Sequence, residues 1–105
     1  MVEITGVYKI TVMMEVLINV KAAAVLRLTN GERVSCLPWR SQHVSSSLDH
    51  EGETYQLNDV FYYCDFHDVQ GTEGAIVTGV MLRDIEAVIV SDDGVMGIAR
   101  EIAER

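Results

Sequence analysis

Two cysteines, one proline and one tryptophan stand among 105 residues, and the scarcities narrow what the chain can be. Cys36 and Cys64 are too few for a disulfide framework. They read as reduced, partly buried thiols of a cytoplasmic protein, with one bridge between them as the alternative. A long hydrophobic run is missing too, because the apolar stretch from Val12 to Leu28 is broken by Glu15, Asn19, Lys21 and Arg27. Neither a membrane span nor a signal peptide fits such a stretch. Lysine and arginine are absent from residues 49–82, and Gly71, Gly74 and Gly79 lack the spacing and the lysine of a phosphate-cradling loop. No repeat, low-complexity segment or linker divides the chain, so residues 1–105 read as one domain.

What is present is apolar and acidic. Hydrophobic residues make up 49% of the chain and mean hydropathy is +0.16, while a domain of this size buries only roughly 60–70% of the surface its unfolded chain exposes. The surplus points to a second copy of the chain as a partner. The formal net charge of −8 is unevenly spread: residues 1–48 carry +2, residues 49–82 carry −7 and residues 83–105 carry −3. Phosphate binding draws on accumulated Lys and Arg, so the acidic whole argues against nonspecific affinity for nucleic acid and leaves room only for a local basic rim. The acidic middle serves solubility or docks a basic protein partner.

The clearest local signal is "VLRLTNGERVSCL", Val25 to Leu37, in which Asn30-Gly31 supplies the positive φ angles of a tight hairpin between two alternating strands. Upstream, every even position from Tyr8 to Leu28 is apolar, which predicts a half-buried strand bent at Ala22-Ala23-Ala24. A helix stacking Val12, Val16 and Val20 beside Met13 and Leu17 is the competing reading. Pro38 is expected to stop regular pairing, since it has no N–H for a ladder, and "PWRSQH" follows as a loop. Val44 to Leu48 fits a short strand before a turn at Glu51-Gly52, and "TYQLNDVFYYCDFH" reads as strand with a kink at Asn58-Asp59. Ala75 to Val90 reads as two strands, or one broken at "LRDIE" by a single helical turn. Asp92 or Asp93 then caps a short C-terminal helix.

Candidate chemistry is sparse. Cys64 and His67 stand three apart and Cys36 with His43 is looser, but zinc needs four closely placed ligands and strand positions three apart face opposite ways. Neither cysteine sits on a nucleophile-bearing turn with an oxyanion loop, so no enzyme is expected. Asp65 and Asp68 flank His67, and Asp92 adjoins Asp93, without calcium-loop spacing. No metal and no cofactor are expected. Trp39 and His43 bracket Arg40, a combination able to stack on bases of single-stranded RNA or to fill a subunit contact; Val60 to Tyr63 reads mainly as core and interface.

Two segments resemble the Sm/LSm family: "LTNGERV", Leu28 to Val34, and "LRDIEAVIV", Leu82 to Val90, the latter similar to the second motif, in which an Ile-Arg-Gly-like tripeptide precedes the last strand. The resemblance implies a bent five-stranded barrel preceded by a helix, assembled into rings through edge strands. Family RNA pockets pair an Asp and an Asn four positions apart with the Arg of the second motif. Gln42 and Ser46 have roughly that spacing, Arg83 matches the Arg, and Asp84 stands where the family has Gly. The expectation is therefore a mainly β chain: a small bent five-stranded SH3/Sm-like barrel with a short C-terminal helix and an N-terminal helix or extra strand. It is expected to form a homo-oligomer that binds single-stranded RNA through Arg83, Gln42, Ser46, Trp39, Arg40 and His43. The alternative is a non-catalytic assembly or inhibitor module of a phage or prokaryote that engages a basic protein through its acidic surface.

Overall fold

The computed structural model of the chain describes residues 1–43, 47–56, 59–65 and 77–105. A short strand β1 (Val2–Thr5) leads through Gly6 into helix α1 (Val7–Val20), so the long strand expected from Tyr8 to Leu28 is replaced over most of its length by a helix. The reason is spacing: Ile10, Met13, Met14 and Leu17 are almost fully buried, a three-to-four-residue recurrence that lays one face of a helix on the sheet. The less buried Val12, Glu15, Val16 and Asn19 recur at the same intervals on the other side. Apolar residues are so dense here that both periods fit; burial selects the helical one. Thr11 returns its hydroxyl to the Val7 carbonyl at 2.8 Å, which satisfies a buried polar group within the helix. Lys21, at φ 58°, closes α1 in the left-handed conformation with its N–H on the Leu17 carbonyl. Ala22 to Ala24 is thus the exit from a helix, not a barrel corner.

Strands β2 (Ala24–Leu28) and β3 (Arg33–Gln42) form the anticipated hairpin. Its turn differs in one detail, because only Gly31 has positive φ, at 91°. Gly31 N–H reaches the Leu28 carbonyl and Asn30 uses its side-chain oxygen on Glu32 N–H, both at 2.9 Å, the three-residue loop that ends on a left-handed glycine. The ladder does not stop at Pro38. β3 runs through it, and the register slips between Pro38, opposite Tyr63, and Arg40, opposite Tyr62. A bulge is where a strand tolerates a proline, and it puts Trp39 and Arg40 in the strand instead of a following loop.

A second hairpin joins β4 (Ser47–His50) to β5 (Glu53–Gln56) around Glu51-Gly52, as expected for that turn. Strands β6 (Val60–Asp65) and β7 (Val77–Met81), a single 3-10 turn at Leu82–Asp84, and β8 (Ile85–Val90) complete the main sheet. Its order is β1-β8-β2-β3-β6-β7, antiparallel throughout, with β4-β5 as a separate pair. The chain is mainly β, with six strands in the main sheet where five were expected and no closed barrel among the described residues. Arg27 on β2 pairs with Glu3 on β1 and with Glu86 on β8, and the hydrogen bonds it donates to Glu3 and then Glu86 hold its pKa above the ordinary value. The segments on either side of Asn58 are separate strands; Asn58 itself lies outside the described residues.

Helix α2 (Met96–Ala103) is the expected C-terminal helix, but no aspartate caps it. Asp92 instead accepts from Gly94 N–H through its side chain and from Val95 N–H through its carbonyl, building the turn before the helix. Ala99 and Ile102 bury against the core formed by Ile4, Leu17, Leu26, Phe61 and Val88, and Lys9 Nζ donates to the Ala103 carbonyl at the open end of α2. No helix among the described residues is long and apolar enough to cross a membrane. The helical register of α1 makes a sharp prediction. Met13→Ala should cost about 2–5 kcal/mol in urea unfolding, and Val20→Ala, at a position half exposed, should fall within about 0.5 kcal/mol of the parent; a strand would reverse that order.

Candidate functional site

The bulge in β3 organises the most distinctive surface of the molecule. With Pro38 buried and facing the core, the extra residue Trp39 is pushed outward and stays 43% exposed. Arg40 lies beside it, with the guanidinium carbon 5.1 Å from the Trp39 ring centroid and 4.5 Å from that of Tyr62 on β6. Such exposed cation–π contacts contribute about 0.5–1 kcal/mol each. The Tyr62 hydroxyl donates to Gln42 Oε1 at 3.0 Å, which ties the far end of the ring to the end of β3.

Gly79 on β7 explains why Tyr62 rests where it does. The two are paired in register, and a Cβ on residue 79 would sit 3.2 Å from Val60 Cγ1 and 3.3 Å from Tyr62 Cε1. The missing side chain leaves room for the aromatic ring to lie across the neighbouring strand. Trp39, Arg40, Tyr62 and Gly79 therefore make a continuous outward strip over three strands, aromatic and cationic in character.

At the end of the same strands a second cluster forms. His43 Nδ1 and Asp59 Oδ1 are 2.9 Å apart, the imidazole N–H donating to a carboxylate whose side chain is 2% exposed while that of His43 is 65% exposed. The carboxylate holds the ring by one nitrogen and leaves Nε2 directed away from it. Asp59 also accepts the Leu82 N–H on its backbone carbonyl at 2.8 Å, so the end of β3, the start of β6 and the 3-10 turn carrying exposed Arg83 meet at this residue. Behind the sheet, Ser41 donates to Glu15 of α1 at 2.9 Å and anchors this end of β3 to the helix.

Of the residues singled out from sequence, Trp39, Arg40 and Gln42 are brought together, and His43 joins through Asp59 to the turn that bears Arg83. Ser46 and His67 lie outside the described residues. Cys36 is buried, Cys64 half-buried, and no disulfide joins them. Three participants were missed by sequence reasoning. Tyr62 was visible in principle, since alternation along Val60–Cys64 turns Phe61 and Tyr63 inward and Tyr62 outward. Gly79 and Asp59 carried no such local sign; their roles depend on pairing with distant strands. Comparison with family models, with curated proteins and with solved structures finds no match to the chain.

The Asp59 junction is testable by stability alone. Asp59→Ala should lower the unfolding free energy by about 1–3 kcal/mol, and a double-mutant cycle with His43→Ala should return a coupling of at least about 0.5 kcal/mol. Additive effects would mean that the contact does not organise this end of the sheet.

Proposed function

We propose that the chain is a self-associating, Sm-like β domain that binds single-stranded nucleic acid, RNA foremost, and performs no chemistry on it. The observation that carries this reading is the Trp39–Arg40–Tyr62 strip, with exposed planar groups positioned to take bases by stacking. Base stacking on such planes contributes about 1–3 kcal/mol per base and tolerates any sequence. Gln42 and His43 supply polar groups at the end of the strip, and Arg83 offers a guanidinium for phosphate on the adjoining turn.

The order of elements supports the resemblance on which the reading draws. Helix α1 precedes five strands, β2, β3, β6, β7 and β8, in which the last lies beside the first; β1 and the β4-β5 hairpin are additions to that plan. Self-association draws support from apolar residues exposed away from the strip and the β7 edge, Val20 at the end of α1 and Ile98 on α2. Charge sets the limits of binding. With −8 overall and Asp84 beside Arg83, affinity comes from stacking more than from phosphate neutralisation, and its salt dependence is shallow.

Light scattering of the purified protein, with and without a labelled uridine-rich oligonucleotide at low salt, checks both halves of the proposal. The expected outcome is an oligomer that binds the oligonucleotide, with Arg83→Ala keeping the oligomer, weakening binding severalfold and flattening the slope of log affinity against log salt by about 0.7. Trp39→Ala should weaken binding by about tenfold. A monomer indifferent to the oligonucleotide overturns the reading.

A further inference from the structure

Among the described residues the main sheet is open, and its two terminal strands are not alike. β1 is four residues long, and its Glu3 is engaged by Arg27, two of the features by which proteins blunt an edge. β7, five residues long, is the other terminal strand; among the described residues nothing pairs with its far side. Beside it runs a groove of about 450 Å³ between β7 and the β2-β3 turn, lined among others by Leu28, Asn30, Glu32, Tyr63, Val80 and Asp84. Its size falls within the range of roughly 300–1,000 Å³ typical of ligand clefts, and the five residues of β7 offer an edge of roughly 17 Å. Unpaired main-chain groups beside a partly apolar trough are what an extended segment needs in order to add a strand.

Charge selects the occupant. Among the described residues the groove is lined by two acidic side chains, Glu32 and Asp84, and by no basic one, on a chain of net charge −8. Both acids are exposed, and the hydrogen bonds they make here use backbone atoms: Glu32 N–H to Asn30, Leu28 N–H to the Glu32 carbonyl, and Thr29 N–H to the Asp84 carbonyl. Among the described residues nothing pairs with their carboxylates, which leaves them for a ligand. We propose that an extended, lysine- or arginine-bearing segment of a partner protein adds to the free edge of β7 in this groove. Main-chain pairing supplies affinity, and Glu32 and Asp84 select for positive side chains.

The test uses the full chain and two fluorescein-labelled nine-residue peptides, one alternating lysine with valine and threonine, the other with glutamate in place of lysine. Anisotropy at low salt should show saturable binding of the lysine peptide alone, and hydrogen exchange should slow at residues 77–81 when it binds. Reversing both acids, Glu32→Lys with Asp84→Lys, should weaken binding at least about tenfold without altering the circular dichroism spectrum. Equal affinity for the doubly reversed variant overturns the proposal, as does protection confined to the β4-β5 hairpin, whose Asp49, Glu51 and Glu53 are also exposed. Protection of residues 77–81 in the free protein at doubled mass overturns it in favour of a second copy, and displacement of bound peptide by the uridine-rich oligonucleotide overturns it in favour of nucleic acid. Peptide and oligonucleotide are titrated separately against the same protein, and Glu32 and Asp84 are not part of the proposed nucleic-acid strip, so failure of nucleic-acid binding and failure of peptide binding are read separately.

Discussion

A ten-residue strand that must pass through a proline cannot keep an unbroken ladder, and much of this molecule follows from how β3 meets that constraint. β3 pairs with β2, its partner in the first hairpin, on one side and with β6 on the other. Pro38 withholds an N–H at its middle, and the register slips by one residue there. The slip is what keeps Arg40 on the outer face beside Trp39, with Pro38 in the core, and it brings Arg40 opposite Tyr62. Without it, strict alternation would send Trp39 to one face and Arg40 to the other. A residue that looks like a terminator in sequence is in this fold the device that assembles the strip.

Burial of α1 secures the other side of β3. Met13, Met14 and Leu17 are fully enclosed, and Glu15, one position along, reaches Ser41 beyond the bulge. The helix therefore fixes the end of β3 at the point where Gln42 and His43 leave the sheet. From there Asp59 carries the order onward, through its carboxylate to His43 and its carbonyl to the turn before β8. The outward strip has no covering element among the described residues; its geometry is set from beneath, by packing, and from its end, by hydrogen bonds.

How much of this could be read from the residues depends on whether the informative contacts were local. Asn30-Gly31, Glu51-Gly52 and the break at Leu82–Asp84 are local events, and each falls where turn chemistry put it. The helix at Val7–Val20 was obscured because nearly every position in it is apolar, so alternation and helical periodicity describe the same letters; only the sheet beneath distinguishes Met13 from Val12. Pro38 misled for a related reason. A proline forbids one hydrogen bond, and whether a strand ends or bulges around the loss depends on its neighbours. The cluster around Arg40 was half visible: Trp39, Arg40, Gln42 and His43 are near in sequence, whereas Tyr62, Asp59 and Gly79 come from strands that meet β3 only after the chain has doubled back.

β7 connects the two surfaces for which a function is proposed. Gly79 underlies Tyr62 on the strip and also lines the groove at the free edge, so the strand that leaves space for the aromatic ring is the strand that would accept a partner's backbone. Charge keeps the two apart. Arg40 marks the strip and Arg83 the adjoining turn, while Glu32 and Asp84 line the groove. Arg83 and Asp84 are neighbours on one three-residue turn whose backbone is tied at both ends, by Leu82 N–H to Asp59 and by the Asp84 carbonyl to Thr29. A turn pinned in this way can hold opposite charges toward different partners. On the proposed reading, the Asp84 that departs from the glycine of the resembled motif would serve the groove, where a carboxylate attracts cations, and its cost to phosphate binding at Arg83 would leave stacking on Trp39 and Arg40 to carry the larger share.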